Sequence, residues 1–375
     1  MLKWVAVVGL PTLLLMLLGA PTAAFGFTSQ QPHVYIAGAV VGNSLTTLLD
    51  WAKRMDPGGA NGPVATVAEL LAQSNEILDD MMWKEGNLPV GERVTVRTGY
   101  PTPTWRLLNQ GVANQKSTTA QLDEQCGMLE TRGQIDLDLA MLNGNTPQFR
   151  LSEAVAFIEA MNQQFADTLI YGNAGVNPER FSGLAVRYND STAKNGQNII
   201  KAGGSGSVNA SIWLVTWGQN TCYGIFPKGS TAGLIHDDLG VGDAFDAQNN
   251  RFRAYLDRYQ WKGGIALKDW RYVVRICNID MTALRADSAG ATVKLIEYMA
   301  KAIDRLPYAN MGKLVFYCNR TVKSMLRLQA MNKSIAQLGI EPAINQFGKQ
   351  IYQLTFLGVP VRTLDRLVET EATVS

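Results

Sequence analysis

Histidine is scarce in this sequence, which contains His33 and His236 among its 375 residues. Zinc sites and Ser-His-Asp triads both depend on histidine, so this scarcity restricts both kinds of chemistry at the outset. His236 opens an acidic run that could ligate a metal, but the spacing fits neither a calcium loop nor a zinc site with two histidines. We therefore interpret the run as a solvated acidic loop. Its acidic residues are Asp237, Asp238, Asp243 and Asp246.

The glycine-rich run at residues 203–207 is the second candidate for ligand binding. It lacks the Lys-Ser/Thr pair of a phosphate-binding P-loop and the third glycine of a dinucleotide-binding turn, so we interpret it as a flexible loop. No G-x-S-x-G elbow accompanies either histidine. We therefore assign no catalytic, cofactor-binding or metal-binding residue, and the sequence predicts a protein that is not an enzyme.

Composition narrows the class further. Apolar residues make up 46% of the chain and charged residues 18%, which excludes disorder or coiled coil as a description of the whole chain. The net charge of +2 gives no electrostatic signature of a dedicated nucleic-acid binder. The widely spaced cysteines predict reduced, buried thiols of a cytoplasmic protein. They are Cys126, Cys222, Cys277 and Cys318.

The N-terminus disagrees with a cytoplasmic protein. One lysine, an apolar run over residues 4–18 and small residues near 20–24 have the form of a secretory signal peptide. Pro11 and the shortness of the run argue against a membrane span. A secreted or periplasmic binding protein or hydrolase is therefore the alternative function.

The elements that follow are mixed. Helical spacing of apolar residues predicts helices at 43–56 and 64–83. Thr146 as a cap and Pro147 at the first helical position begin a long helix that ends at Gly172. Its apolar stripe predicts one buried face. The stripe consists of Leu151, Val155, Ile158, Met161, Phe165 and Leu169.

Between these helices, alternating residues at 92–99 and 133–142, with weaker alternation over 120–131, predict a long two-stranded ribbon. Basic side chains on its outgoing limb would face acidic side chains on its returning limb, and opposite charges on facing strands stabilise pairing modestly. The outgoing limb carries Arg93, Arg97 and Arg106, and the returning limb carries Asp123, Glu124, Glu130, Asp136 and Asp138.

The remainder of the chain predicts strands within 208–280, helices at 288–306 and 320–331, a buried strand at 313–318 and a terminal strand pair at 354–365. Strands and helices are not in regular alternation, so the predicted class is α+β. Arg271 and Arg275 are interpreted as paired charges of a core strand. Four tryptophans are interpreted as sheet core or subunit contact. They are Trp213, Trp217, Trp261 and Trp270.

Several stretches resemble the major capsid proteins of tailed bacteriophages, in particular a podovirus-type branch. The resemblance covers about residues 43–370. The stretches are SLTTLLDWAKRMDPGG, ILDDMMWKEGNLPVGERVTVRTGYPTPTWRLLNQGV, CGMLE, RLSEAVAFIEAMNQQFADTLIYGN, FSGLAVRYN and KDWRYVVRICNID.

This resemblance implies the Hong Kong 97-type capsid fold. The chain would divide into an N-terminal arm at 39–89, an extended hairpin (the E-loop) at 90–142, a peripheral domain at 143–284 and an axial domain at 285–375. The long helix at 147–171 would be the spine helix of the peripheral domain. The strand-rich block at 208–280, which lies before the later helices, departs from the commonest arrangement of the family.

The implied function is a structural subunit that self-assembles into hexamers and pentamers of an icosahedral shell around double-stranded DNA. Expected partners are further copies of the chain, scaffold and portal proteins, decoration proteins and packaged DNA through non-specific contact, with no membrane, no cofactor and no metal. The expected location is the virion capsid, assembled in the host cytoplasm. Candidate contacts between subunits are Arg93, Arg97, Arg106, Asp136 and Asp138.

Residues 1–38 fit this resemblance poorly, because relatives of this kind resemble the chain from about Ser44 onward. We expect residues 1–38 to be dispensable, with the functional protein starting close to Val40–Ser44 from an alternative start codon.

Overall fold

A computed structural model describes residues 46, 72–142, 146–286, 293–332, 338–344 and 350–375. The predicted leader at 1–38, the first predicted helix apart from residue 46, and most of the predicted arm lie outside these residues. The described helices are α1 (Ile77–Asp80), α2 (Leu137–Met141), α3 (Thr146–Tyr171), α4 (Leu184–Arg187), α5 (Met281–Ala286), α6 (Leu295–Asp304) and α7 (Arg320–Asn332).

The strands follow a mixed order along the chain. They are β1 (Trp83–Glu85), β2 (Gly91–Gly99), β3 (Thr118–Gln125), β4 (Gly127–Asp136), β5 (Ile199–Lys201), β6 (Asn209–Trp217), β7 (Cys222–Phe226), β8 (Leu234–Phe245), β9 (Arg251–Leu267), β10 (Val273–Asp280), β11 (Lys313–Cys318), β12 (Leu338–Ile344), β13 (Gln350–Phe356) and β14 (Val359–Thr363).

One mixed sheet organises most of these strands, and β6 lies at its centre. The order is β12-β13-β14-β11-β6-β7-β9-β4, with β10 also on β6, β5 on β10, β1 on β7 and β8 on β9. β6 pairs antiparallel with both β10 and β11, whereas β11 pairs parallel with β14. β2 and β3 form a separate two-stranded sheet.

The alternation along β6 divides the core between the two faces of the sheet. Ile212 and Leu214 contribute to a cluster with apolar residues of α6 and α7, such as Met299 and Leu326. The intervening Trp213 joins Phe165 and Leu169 of α3 in a second cluster. Since successive strand residues point to opposite faces, this period of two explains why β6 is buried throughout. The tryptophans predicted to be sheet core, Trp213, Trp217, Trp261 and Trp270, belong to or pack against this second cluster.

The chain divides into two compact units. The larger consists of Glu69–Arg132, Val155–Asp237 and Arg258–Ser375 and holds both clusters just described. The described part of the smaller unit is Gly133–Ala154 and Asp238–Asp257. Within the smaller unit, Ile135, Ala140 and Phe149 form a small buried cluster. The Arg150 guanidinium lies 2.9 Å from carboxylate oxygens of both Asp238 and Asp257.

The structure corrects several predicted elements. The returning limb of the ribbon ends with β3 at Gln125 rather than continuing to residue 142, because β4 leaves the ribbon and pairs with β9 in the main sheet. The predicted strand at 133–142 ends at Asp136, whose carboxylate accepts hydrogen bonds from the backbone N–H groups of Asp138 and Leu139 and so starts α2. The predicted helix at 64–83 is helical over Ile77–Asp80 in its described part, and Trp83 begins a strand.

Other predicted elements agree closely with the structure. The long helix runs over 146–171 against a predicted 147–171, and the strand at 313–318 and the helix from Arg320 also form. β11, on the C-terminal side of the predicted boundary at residue 284, pairs directly with β6 on its N-terminal side. Both predicted domains therefore share one sheet, and the domain boundaries remain predictions.

Candidate assembly surfaces

The ribbon is built from β2 and β3, which pair antiparallel with Arg93 opposite Asp123. The guanidinium of Arg93 donates from Nε and Nη2 to the two carboxylate oxygens of Asp123, at 2.6 and 2.7 Å. This hydrogen bonding lowers the pKa of Asp123 from its usual value and raises that of Arg93. The predicted pairing of a basic outgoing limb with an acidic returning limb is therefore present at this position.

The other predicted contact residues lie in different settings. Arg97 lies opposite Thr119 in the ribbon, with its guanidinium 5.9 Å from the ring centre of Tyr100. Arg106 is exposed in the connection between β2 and β3, Asp136 caps α2, and Asp138 is exposed beside it. Their role as contacts between subunits remains a prediction.

The connection between β2 and β3 is unusually apolar for a fully exposed segment. Every residue from 100 to 119 is exposed, including Trp105, which is fully exposed, and Leu108 at 88%. We call residues 100–117 the tip. Its apolar side chains were not singled out from the sequence, although Trp-Arg-Leu-Leu inside a proline-rich reach is a signal that could have found them. The large apolar residues exposed in the tip are Tyr100, Trp105, Leu107, Leu108 and Val112.

The long helix α3 carries a second group of exposed apolar side chains. Of the predicted stripe, Met161, Phe165 and Leu169 are buried, as expected of a core-facing helix. The same stripe is exposed nearer the start of α3, so half of this predicted core face is solvent-accessible in the subunit. Those exposed residues are Leu151, Val155 and Ile158.

The base of the ribbon is buried and charged. Glu92 on β2 lies directly opposite Glu124 on β3, and both side chains are buried. Lys84 Nζ lies 2.6 Å from Glu92, and Arg187 makes two hydrogen bonds of 2.6 Å to Glu124. We call these four residues the root of the ribbon. Sequence reasoning assigned Glu124 to the acidic limb but did not predict a carboxylate facing it.

A second buried charge network confirms the interpretation of Arg275. Its Nη2 lies 2.9 Å from Oε2 of Glu371, which also accepts a hydrogen bond from Ser211. Tyr171 donates its hydroxyl proton to the other oxygen of Glu371 at 2.6 Å, and burial followed by the Glu371 charge raises the pKa of Tyr171. With every charge and hydroxyl paired, this network joins the last residues of the chain to the sheet.

The residues weighed for chemistry form structural contacts. His236 stacks on Tyr259 at 4.6 Å between ring centres, and Asp237 pairs with Arg258. Among the residues that the structure describes, no group of histidines, cysteines and carboxylates could hold a metal ion. Burial, together with the Glu92 charge, raises the pKa of the Cys126 thiol to about 12, and burial likewise raises those of Cys222 and Cys318 to about 12.

A fully exposed apolar tip and a well-packed body are typical of a subunit that buries surface by association. The class indicated is therefore a self-associating structural protein. The family model described as "Major capsid protein GP7" matches residues 59–375, and the chain belongs to this family. No helix in the described ranges is long and apolar enough to cross a bilayer.

A cryo-EM structure of bacteriophage Epsilon15 contains a chain that is 32% identical, with a TM-score of 0.71, covering 90% of this chain and 99% of that one. The capsid of bacteriophage JBD30 gives 10% identity, a TM-score of 0.45 and coverage of 80% and 95%. The capsid of a native GTA particle contains a chain that is 9% identical, with a TM-score of 0.42, covering 60% of this chain and 95% of that one. No curated protein matches the chain.

These findings confirm the predicted family, the α+β tailed-phage capsid fold and the function of a structural shell protein of the virion capsid. The family is structural rather than enzymatic. The comparisons give no support to the alternative of a secreted binding protein or hydrolase.

Proposed function

We propose that the subunit builds its shell by placing the tip of its ribbon on a neighbouring copy. The observation that carries this proposal is the exposure of every residue from 100 to 119, with large apolar side chains among them. Single exposed apolar residues are ordinary on protein surfaces, but a contiguous group of this kind marks an interaction site. We expect Trp105 to become most deeply buried, because tryptophan is enriched at interface hot spots. Leu108 is expected to be buried with it, because it is 88% exposed in the subunit and lies three residues further along the tip.

The shell is proposed to consist of hexamers and pentamers arranged with icosahedral symmetry around double-stranded DNA. Association of the subunit with DNA is non-specific, which agrees with a net charge of +2. Scaffold, portal and decoration proteins are the further partners, and assembly takes place in the host cytoplasm. Membership of a capsid family supports these statements.

The charged residues of the ribbon and of α2 are proposed to refine the contact between subunits. Arg97 and Arg106 are exposed and have no carboxylate partner among the described residues, so their charges are available to a neighbouring copy. Arg93 forms an ion pair with Asp123 and acts by holding the two strands of the ribbon together. Asp136 and Asp138 complete the proposed set as acidic counterparts.

The experiment replaces tip residues without touching the core. The double variant Trp105→Ser, Leu108→Ser is compared with Val176→Ser, Tyr308→Ser, which removes two exposed apolar side chains outside the ribbon. Both variants should fold, as judged by circular dichroism. We expect electron microscopy and light scattering to show particles for the control and unassembled subunits for the tip variant. Normal particles at normal yield from the tip variant would overturn the proposal.

A further inference from the structure

The root of the ribbon contains an arrangement that the stability of the ribbon itself does not require. Glu92 and Glu124 are directly opposite each other in register. Like charges at directly opposed positions of two strands destabilise pairing. Here both carboxylates are also buried, which adds a desolvation cost. Contacts within the ribbon therefore cannot stabilise this pair of carboxylates, and their charges must be compensated by residues outside the ribbon.

The body of the larger unit supplies one cation to each carboxylate. Lys84 comes from β1, which pairs parallel with β7 of the main sheet, and its Nζ lies 2.6 Å from Glu92. Arg187 ends the short helix α4 and forms a bidentate pair with Glu124. Arg187 also donates to the backbone carbonyl of Ser182 at 3.0 Å, so its own position is fixed.

The two limbs are thus tied to two different elements of the body. Bidentate arginine–carboxylate pairs restrict direction as well as distance, because both hydrogen bonds must remain aligned. Beyond the root, side chains of the ribbon are mostly exposed, Val94 being the buried exception. Nearly all contact that could orient the ribbon therefore lies at its base.

We propose that Lys84 and Arg187, through Glu92 and Glu124, are positioning residues that fix the direction in which the ribbon leaves the subunit before assembly. The proposal rests on the proposed function of the ribbon as an assembly element. From Glu124 to Thr119 the strand spans about 17 Å at the usual rise of 3.4 Å per residue. A change of about 15° at the root would move that point by about 4 Å over the same length, enough to misplace a contact. A ribbon oriented in advance loses less conformational freedom on association, which favours binding.

The test measures ribbon direction in the unassembled full-length chain. Spin labels are attached at Thr119→Cys on β3 and at Gln219→Cys, an exposed site in the body of the same unit. The three native cysteines that are fully buried and the half-buried Cys126 should stay unlabelled near neutral pH because their thiols are shielded or protonated. Pulsed electron paramagnetic resonance then gives the distribution of distances between the two spin labels.

Two neutralising variants remove the root without leaving a buried net charge. The first is the double variant Lys84→Gln, Glu92→Gln. The second is the double variant Arg187→Gln, Glu124→Gln. The matched control, the double variant Lys294→Gln, Glu297→Gln, neutralises an exposed lysine–glutamate pair of 3.3 Å at the start of α6. Lys84→Arg serves as the conservative variant and should behave as the parent chain.

We expect a single narrow distance distribution for the parent chain and the control, at least a twofold broader one for each root variant, and assembly about tenfold slower for the root variants. An unchanged width in a folded root variant would overturn the proposal. So would a broad distribution in the parent chain, a result that needs no variant to fold. Because distances are measured before assembly, a failure here is distinct from normal assembly of the tip variant, which would instead refute the proposed function.

Discussion

At the scale of single residues, we expect Glu371 to contribute strongly to the stability of the fold. Its side chain and that of Arg275 are each 4% exposed, and Ser211 and Tyr171 bind the same carboxylate. Replacing one member of a buried ion pair leaves the other charged group without compensation. We predict that Glu371→Gln lowers the free energy of unfolding by about 3–5 kcal/mol, measured by urea denaturation of the unassembled subunit.

The matched comparison is Glu297→Gln on α6, which breaks an exposed pair with Lys294. Exposed pairs contribute at most about 1 kcal/mol, so this variant should remain close to the parent chain. Equal losses in the two variants would show that the Glu371 network is no more important than an ion pair on the surface.

Glu130 provides a prediction of pH dependence. Hydrogen bonds first from Arg258 and then from Arg132 lower the pKa of this carboxyl from 4.5 to about 2. A carboxyl with a lowered folded pKa stabilises the fold fully above its unfolded pKa and loses that contribution as pH falls through the folded one. The parent chain should therefore be more stable than Glu130→Gln above about pH 4.5, and the difference should shrink as the pH falls and disappear below about pH 2. Acid titration of both chains measures this, and a difference independent of pH would contradict it.

Residue-scale sequence analysis succeeded where a side chain acts through its own type. Trp213 is buried because its large apolar side chain is stabilised by removal from water, and Arg275 is paired because a buried charge needs an opposite one. Both properties can be read from the residue type alone. The surroundings of Glu124 were not predicted, because the position of Glu92 opposite it depends on strand register and its pairing with Arg187 is a contact over 63 residues. Long-range partners of this kind leave no periodic pattern in a single sequence.

At the scale of elements, the ribbon depends on a close backbone approach at its base. A Cβ atom added at Gly91 would overlap the backbone carbonyl of Glu124, whereas one added at Gly111 in the tip would meet nothing. We predict that Gly91→Ala disrupts β2–β3 pairing, seen as faster amide hydrogen exchange over residues 92–98, while Gly111→Ala leaves exchange unchanged. Indistinguishable exchange in the two variants would show that the ribbon base can relax around a methyl group.

Charge reversal in the ribbon gives a second prediction at this scale. Replacing Arg93 and Arg97 with glutamate would set a carboxylate against Asp123 in place of the present ion pair. We expect unassembled capsomers or aberrant shells by electron microscopy, with the helical circular dichroism of α3 largely kept. Normal particles at normal yield would show that these arginines are solvated surface.

Elements with strong local signals were predicted well. The cap and first-position proline of α3 placed its start within one residue. The returning limb was predicted to contain Asp123 and Glu124, as observed, but also to continue to residue 142. It does not continue, because β4 alternates as a ribbon strand would but finds its partner in β9. The helix α2 was missed because its start depends on the single capping side chain of Asp136, which also fits an alternating strand.

At the scale of the whole molecule, folding and association should be coupled. Residues 100–119 are exposed in the single subunit, so they gain protection only through a neighbouring copy. We predict rapid amide exchange of residues 100–117 in unassembled subunits and at least a tenfold slowing in particles, while α3 is protected in both. Equally rapid exchange of the tip in particles would exclude it from the contact between subunits.

The architecture as a whole was accessible from resemblance rather than from composition. Capsid-like stretches along the chain predicted the family and the α+β class, both confirmed. The pairing of β11 with β6 crosses the predicted domain boundary at residue 284 and joins residues more than 90 positions apart in the sequence, and local patterns do not encode contacts of that range. Contacts between subunits are still harder to predict from one sequence, because the residues on the other side of the contact belong to another copy of the chain.

The separation between a tightly packed body and an exposed tip has a genetic consequence. A substitution in the tip, such as one at Trp105, leaves the buried clusters untouched, so the altered chain escapes the quality control that removes misfolded proteins. It would accumulate to normal levels and enter growing shells beside normal copies. In a cell infected by both forms, such an allele would therefore be dominant, whereas a core substitution that destroys the fold would be recessive.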